Sequence, residues 1–283
     1  MTNISLYSKI QQAPPIEVLD MKRRYDEDNN EKKINLTVGG YKVRWYERWK
    51  ITFALPTTMN CLQDEDGNPF VLPVVRDVEL EMMSEPDFNH EYLPALGNGN
   101  ACKAAVELLL GENCEAINQG RAFAIQSLGG TGPIRVGAEF LQQQLGCDSA
   151  RFSDPTWINH RDIFIKSGFT DVQAYPYWDY VNKKFHFEAL MSCMRQCKPK
   201  TVFVLHAQAH NPSGIDPSED QWRQICEVMK RGQLIPFFDC AYQGWASGDL
   251  EKDAWAVRYF HSQRVEFLVS QSFGKVCRIL LSR

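Results

Sequence analysis

The pattern of apolar and polar residues changes period repeatedly from about residue 100 onward. Three segments carry apolar residues at helical spacing: residues 134–146, 160–169 and 217–232. Three short apolar runs are typical of buried strands: residues 201–206, 234–239 and 265–270. Short strands separated by amphipathic helices need crossover connections, which put helices on both faces of a mainly parallel sheet. The pattern predicts an α/β domain.

Composition narrows the class of protein. The 283 residues are 44% apolar and 23% charged with a net charge of -4, as in ordinary globular proteins, and 31 basic against 35 acidic residues argue against a nucleic-acid partner. The chain has no apolar run near the roughly 18 to 20 residues of a membrane span, and its start lacks the apolar core of a secretory signal. We therefore expect no membrane partner.

Cysteine usage bears on the compartment. Nine cysteines, an odd number, are scattered along the chain, which favours reduced thiols and a cytoplasmic location. Cys193 and Cys197 form a CxxxC pair, but no second pair or histidine follows at zinc-finger spacing, so we predict no metal site.

Polar residues follow three of the predicted strands. Asp239 ends residues 234–239, His210 and Asn211 follow residues 201–206, and Lys275 follows residues 265–270. Ligands of open α/β sheets bind beyond the carboxyl ends of the strands. We expect these side chains to meet in one crevice.

A glycine-rich turn opens the predicted helix of residues 134–146. In SLGGTG (127–132), glycines let backbone N–H groups approach an anion, although the segment fits neither the dinucleotide nor the Walker pattern. With the lysine and the aspartate it predicts pyridoxal phosphate, whose aldehyde bonds a lysine, whose ring nitrogen pairs with an aspartate and whose phosphate suits a helix start. Singly, Lys275 reads as a surface lysine, Asp239 as a cap and Trp157 as a core aromatic; their joint placement favours the cofactor.

Six segments resemble the aspartate aminotransferases, pyridoxal phosphate enzymes of fold-type I: NHEYLPALG (89–97), SLGGTGPIRVGAEFL (127–141), DPTWINH (154–160), AHNPSGIDPSEDQW (209–222), FFDCAYQGWASGDLEKDAWAVRYF (237–260) and SQSF (270–273). The resemblance implies a mainly parallel, seven-stranded sheet flanked by helices in a large cofactor-binding domain over residues 71–283. Residues 1–70 would form an N-terminal arm and part of a smaller domain.

The resemblance also implies residue roles. Lys275 would bond the cofactor and move the substrate α-proton, and Asp239 would pair with the ring nitrogen. Tyr242 and Asn211 would hydrogen-bond the ring oxygen, while His160 would support Asp239.

Further contacts follow from the same resemblance. Trp157 would stack on the ring, and Tyr92 would reach the phosphate of a partner subunit in a homodimer. The expected phosphate contacts are Gly130, Thr131 and Ser272. His210 would support the site from behind, and the expected substrate contacts are Gly39, Trp157 and Asn211.

Two segments depart from the family pattern. Residues 43–63 interrupt it and form a predicted insertion, and after Lys275 the expected Asn-Phe-Gly-Leu-Tyr-Asn-Glu-Arg is replaced by residues 276–283. We expect a C-terminally truncated chain that lacks the two substrate-clamping arginines of the family. The hypothesis is that both segments are retained intron sequence, which would leave this chain unstable and weakly active or inactive.

The predicted function is aspartate aminotransferase activity, the transfer of the amino group between L-aspartate and 2-oxoglutarate. The alternative is an impaired relative that binds pyridoxal phosphate or dimerises without transaminating. A nucleotide-binding α/β protein fits less well, because no acidic ribose partner or Walker lysine is present.

Overall fold

A computed structural model describes residues 17–30, 32–33, 73–86 and 91–274. The chain divides into two units, Met1–Phe70 and Val71–Arg283. In the first unit, helix α1 (Glu17–Glu27) carries ion pairs from Arg23 to Asp20 and Glu27. The predicted insertion 43–63 and residues 276–283 lie outside the described residues. The domain assignment and the hypothesis of retained intron sequence in these two segments therefore stay predictions.

The second unit alternates helices and strands. The helices among its described residues are α2 (Pro73–Ser84), α3 (Gly99–Leu110), α4 (Glu115–Asn118), α5 (Thr131–Leu145), α6 (Asn159–Lys166), α7 (Phe187–Gln196), α8 (Glu219–Gly232), α9 (Leu250–Asp253) and α10 (Trp255–Ser262). The strands are β1 (Ser149–Asp154), β2 (Asp171–Pro176), β3 (Trp178–Asp179), β4 (Lys184–Phe185), β5 (Val202–His206), β6 (Ile235–Cys240) and β7 (Leu268–Gln271). None of the described helices is long and apolar enough to cross a membrane.

The main sheet is parallel throughout its described strands. Its order is β2-β1-β5-β6-β7, and β3 pairs with β4 in a separate antiparallel hairpin. The α/β class with a parallel sheet between helices is therefore confirmed. Five strands of the main sheet fall within residues 91–274; the family's count of seven stays an expectation.

Alternate residues of each strand face two separate cores, as the period of two requires. On one face, Phe203 and Phe238 pack with residues of α7, α8 and α10. On the other face, Val204 and Phe237 pack with residues of α5 and α6. Both faces of the sheet are thereby covered, which explains why β5 and β6 read as continuous apolar runs.

Helix α5 lies unusually close to the sheet. A Cβ atom added at Gly137 would lie 2.5 Å from Cζ of Phe237 and 3.3 Å from Cδ2 of Leu268. Glycine at this position lets the helix approach β6 and β7. The spacing matters for function because α5 begins at the glycine-rich turn and β6 carries Asp239.

The sequence predictions match several elements, with shifted ends. The helix predicted over residues 160–169 ends at Lys166, because Gly168 has φ of +98° and leaves the helical region. The sequence patterns did not reveal β1, β2 or α7.

Candidate functional site

The carboxyl ends of β5, β6 and β7 align at one edge of the sheet. In the strand register, His206 pairs with Asp239, and Asp239 pairs with Ser270. The backbone N–H of Ala207 donates to the carbonyl of Asp239 at 2.9 Å, which joins the loop after β5 to β6. Asp239 therefore stands at the centre of a polar edge, as expected for a ligand site of an open α/β sheet.

Two histidines and a threonine form a chain of hydrogen bonds to Asp239. His160 Nε2 lies 3.0 Å from Asp239 Oδ2, and His160 Nδ1 lies 2.9 Å from Thr156 Oγ1. Thr156 Oγ1 is 3.5 Å from His206 Nε2, and the backbone N–H of Asn211 donates to His206 Nδ1 at 2.9 Å. The buried His160 thus connects the Asp239 carboxylate to the loop that carries Asn211.

The direction of these bonds fixes the positions of the protons. A backbone N–H can only donate, so His206 Nδ1 accepts and the proton of His206 sits on Nε2, facing Thr156. The Thr156 hydroxyl can then donate to His160 Nδ1, which leaves His160 Nε2–H to donate to Asp239. The chain holds the carboxylate in place and presents it as an acceptor.

His160, His206 and Asp239 together have the composition of a metal site. Ligand atoms of His160, His206 and Asp239 lie within 4.8 Å of one another. The hydrogen bonds account for this cluster, because His206 Nδ1 accepts from Asn211 and His160 Nε2 faces Asp239.

The loop after β5 is supported by buried polar groups. His210 contacts Ser213 Oγ and Ser153 Oγ at 2.7 and 2.8 Å and stacks on Tyr177, with ring centroids 3.6 Å apart. Burial, together with the neighbouring His160, lowers the pKa of His210 to about 3. His210 is therefore neutral in the folded protein and serves as a rigid spacer beneath the loop.

Asp216 closes this loop. Its carboxylate accepts from the backbone N–H groups of Ala209 and His210 at 2.6 and 2.8 Å, while burial raises its pKa. The buried Asn211 follows directly in the chain. The position of Asn211 is consequently set by two contacts. Asp216 holds the two residues that precede Asn211, and His206 accepts from the N–H of Asn211 itself.

Tyr242 lies just beyond β6. The residue is 7% exposed, and burial together with the Asp239 carboxylate raises the pKa of its phenol well above the ordinary value. The phenol is therefore a protonated donor near Asp239. Trp157 is half-buried in the loop between β1 and α6, and its carbonyl accepts from the backbone N–H of His160 at 3.0 Å.

The glycine-rich turn meets the end of β7. A Cβ atom added at Gly130 would lie 3.3 Å from Cβ of Ser272, and Ser270 Oγ donates to the carbonyl of Gly130 at 3.1 Å. Among the described residues, no side chain caps the start of α5, which begins at Thr131. The start of α5 and Ser272 therefore lie side by side, and the start of a helix is a favourable position for an anion.

The structure brings together most of the residues singled out in the sequence. Asp239, His160 and Asn211 belong to one hydrogen-bonded chain, His210 and Tyr242 lie beside it, and Gly130 and Ser272 adjoin it through Ser270. Lys275 and Gly39 lie outside the described residues, and the fully exposed Tyr92 lies on the surface.

The sequence analysis did not identify Thr156, His206 or Ser270 as site residues. His206 and Ser270 had a usable signal, since each is a polar residue at the end of an apolar strand.

The edge has the donor set that pyridoxal phosphate needs. Asp239 is a fixed acceptor for a ring N–H, Tyr242 is a protonated donor, and the glycine-rich turn at the start of α5 lies beside the Ser272 hydroxyl, where N–H groups and a hydroxyl can donate to a phosphate. The residues present therefore fit the cofactor.

Comparisons with known proteins agree with this chemistry. The sequence model of the family described as aminotransferase class I and II matches residues 58–277. The chain is 44% identical over 272 residues to the cytoplasmic aspartate aminotransferase of Caenorhabditis elegans, covering 96% of this chain and 62% of the relative. The chain thus spans less than two thirds of the length of that relative.

Two solved structures share the fold. Aspartate aminotransferase from Saccharomyces cerevisiae cytoplasm has a TM-score of 0.83 at 33% identity, with 97% of this chain and 62% of that chain covered. Aromatic-amino-acid aminotransferase from Burkholderia pseudomallei, covalently bound to pyridoxal phosphate, has a TM-score of 0.80 at 34% identity, with 96% and 62% covered.

Proposed function

Because the chain belongs to the aminotransferase class I and II family, we propose that it uses pyridoxal phosphate to transfer the amino group between L-aspartate and 2-oxoglutarate. The observation that carries this proposal is the buried His160 bonded to Asp239 at the centre of the sheet edge. The aspartate preference rests on the name of the 44% identical relative, an aspartate aminotransferase.

The cofactor, when bound, supplies a ring that accepts the negative charge left on the substrate when its α-proton is removed. Asp239 would hold the proton of the ring nitrogen, since a carboxylate fixed by His160 stabilises a positive neighbour. Thr156 and His206 would keep His160 in the tautomer that donates to Asp239. The chain of bonds thereby protects the acceptor on which the chemistry depends.

Other residues would orient the ring and the phosphate. Tyr242 and Asn211 would donate to the ring oxygen, and Trp157 would cover one ring face. The phosphate would be held by the backbone at Gly130 and Thr131, together with the Ser272 hydroxyl.

Lys275 would bond the cofactor and carry the substrate α-proton. Lys275 follows Ser272 by three positions in the sequence, and this short separation supports a role at the same edge. Trp157 and Asn211 would also border the substrate, together with Gly39. We propose dicarboxylic amino and keto acids as substrates.

We further propose that the protein works as a homodimer in the cytoplasm. The location is supported by the name of the Caenorhabditis elegans relative, which is a cytoplasmic enzyme. Residues 91–128 expose Tyr92, Phe123 and Leu128 at 102%, 77% and 80%. The backbone N–H of Gln126 donates to the carbonyl of Leu96, which brings the two segments that carry these residues together. A surface of this kind is typical of subunit contacts, and sedimentation of the purified chain would test it, with a monomer at all concentrations as the contrary result.

One titration tests the enzymatic proposal. Pyridoxal phosphate is added to the purified chain, and the absorbance band of the lysine-bound cofactor is followed before and after L-aspartate. A band that L-aspartate shifts supports the transaminase, and the same band should be absent in Lys275→Ala. A band that L-aspartate leaves unchanged would identify a cofactor-binding relative instead, and the absence of any band would overturn both proposals.

A further inference from the structure

A cysteine and a histidine meet at a site that the proposed function does not use. Cys114 Sγ lies 3.7 Å from His261 Nε2, although 147 positions separate the two residues in the chain. Both residues are half-buried, and both line a groove on the surface. In the described part of the chain, no third metal ligand joins the pair.

Partly buried hydrogen bonds fix the two elements that carry the pair. Arg258, on α10, donates from Nε to the carbonyl of Leu109 at 2.8 Å and from Nη2 to that of Leu108 at 3.3 Å. These carbonyls end α3, and the backbone N–H of Cys114 then donates to the carbonyl of Gly111 at 3.1 Å. The approach of the thiol to His261, one turn after Arg258, is therefore set by the fold.

The pair opens onto an acidic groove of about 710 Å³ that is lined in part by Glu107, Glu112 and Glu251. Arg258 pairs with Glu251 and Lys103 with Glu107 at 3.6 Å, while Glu112 is exposed. Because Glu251 and Glu107 are paired with cations, the exposed Glu112 supplies the charge that disfavours an anionic reagent and leaves neutral or cationic ones unhindered.

We propose that Cys114 and His261 form a nucleophilic thiol site that takes uncharged or cationic alkenes conjugated to a carbonyl group. His261 Nε2 accepts the thiol proton as sulfur forms a bond to the β-carbon of the alkene. The π-electrons move to the α-carbon, and His261 returns the proton there. Atoms and electrons balance without an oxidant or a further reactant.

The comparison of two cysteines in the same chain tests this assignment. Cys102 is also half-buried, but its sulfur contacts the carbonyl of Leu96 at 3.6 Å instead of a histidine. The full chain is treated briefly with N-ethylmaleimide near neutral pH, and each peptide is quantified by mass spectrometry. We expect Cys114 to react at least about a hundredfold faster than Cys102, the lower end of general-base effects.

A variant separates base assistance from simple exposure. His261→Gln should lower the rate at Cys114 about a hundredfold and leave Cys102 unchanged, while the buried Cys226 stays unlabelled as a check on folding. Iodoacetamide should be preferred over the anionic iodoacetate more strongly at Cys114 than at Cys102. Equal rates at Cys114 and Cys102 in the unmodified chain would overturn the proposal, whatever the variant does.

Discussion

The close packing of α5 on the sheet predicts an unusual response to a glycine-to-alanine substitution. Alanine normally stabilises a helix by about 1 kcal/mol relative to glycine. In Gly137→Ala, however, the new Cβ would lie 2.5 and 2.8 Å from ring atoms of Phe237, which is 2% exposed and packs against Phe164. Overpacking of this kind costs about 1–3 kcal/mol, so we expect a net loss of up to about 2 kcal/mol.

Gly99→Ala is the matched control. Gly99 begins α3, and a Cβ atom there would meet no atom of the described residues within 4 Å. This variant should be as stable as the parent or gain a few tenths of a kcal/mol. The assay is urea unfolding of the three proteins, with equal slopes and shifted midpoints. If Gly137→Ala were as stable as Gly99→Ala, the proposed contact between α5 and β6 would be wrong.

Two further predictions concern the polar edge. Thr156→Val should weaken pyridoxal phosphate binding about tenfold, because it leaves a buried histidine nitrogen unsatisfied at a cost of about 1–3 kcal/mol. Thr156→Ser should bind the cofactor nearly as the parent does. Equal affinities of Thr156→Val and the parent in an absorbance titration would contradict the hydrogen-bonded chain. Burial lowers the pKa of His210 to about 3 from an ordinary 6.5, so the unfolded chain binds the proton first and the stability due to His210 is complete above about pH 6.5 and lost as pH falls toward 3. Melting temperatures between pH 7.5 and 4.5 should fall less steeply for His210→Asn than for the parent, and parallel curves would refute this assignment.

The sequence was most informative where local signals agree. Helix α8 combines an amphipathic pattern with a capping box between Ser218 and Gln221, and both point to its observed start. Strands β5 and β6 are buried on both faces, and their unbroken apolar runs predict this burial.

The missed strands are polar for a structural reason. In β1, Arg151 pairs with Asp171 of β2 at 2.9 Å, and the buried Ser149 donates to the same carboxylate at 2.7 Å. A strand whose polar side chains are satisfied across the sheet has no apolar run to reveal it. A sequence pattern does not show which distant residues pair with one another, so it could not predict β1 and β2.

The candidate site divides in the same way. Asp239 and Asn211 were recognisable because they follow apolar strands, and the resemblance supplied His160. Thr156 gains its role only from contacts with two histidines, one of them 50 positions away, so no local pattern could identify it.

The central claim is that Lys275 and Asp239 hold one molecule of pyridoxal phosphate at the sheet edge. The direct measurement is to load the chain with the cofactor, fix it to its lysine by borohydride reduction and locate the modified residue by peptide mass spectrometry. We expect a pyridoxyl group on Lys275 that is lost in the unreduced control. Modification of another lysine, with Lys275 free, would contradict it.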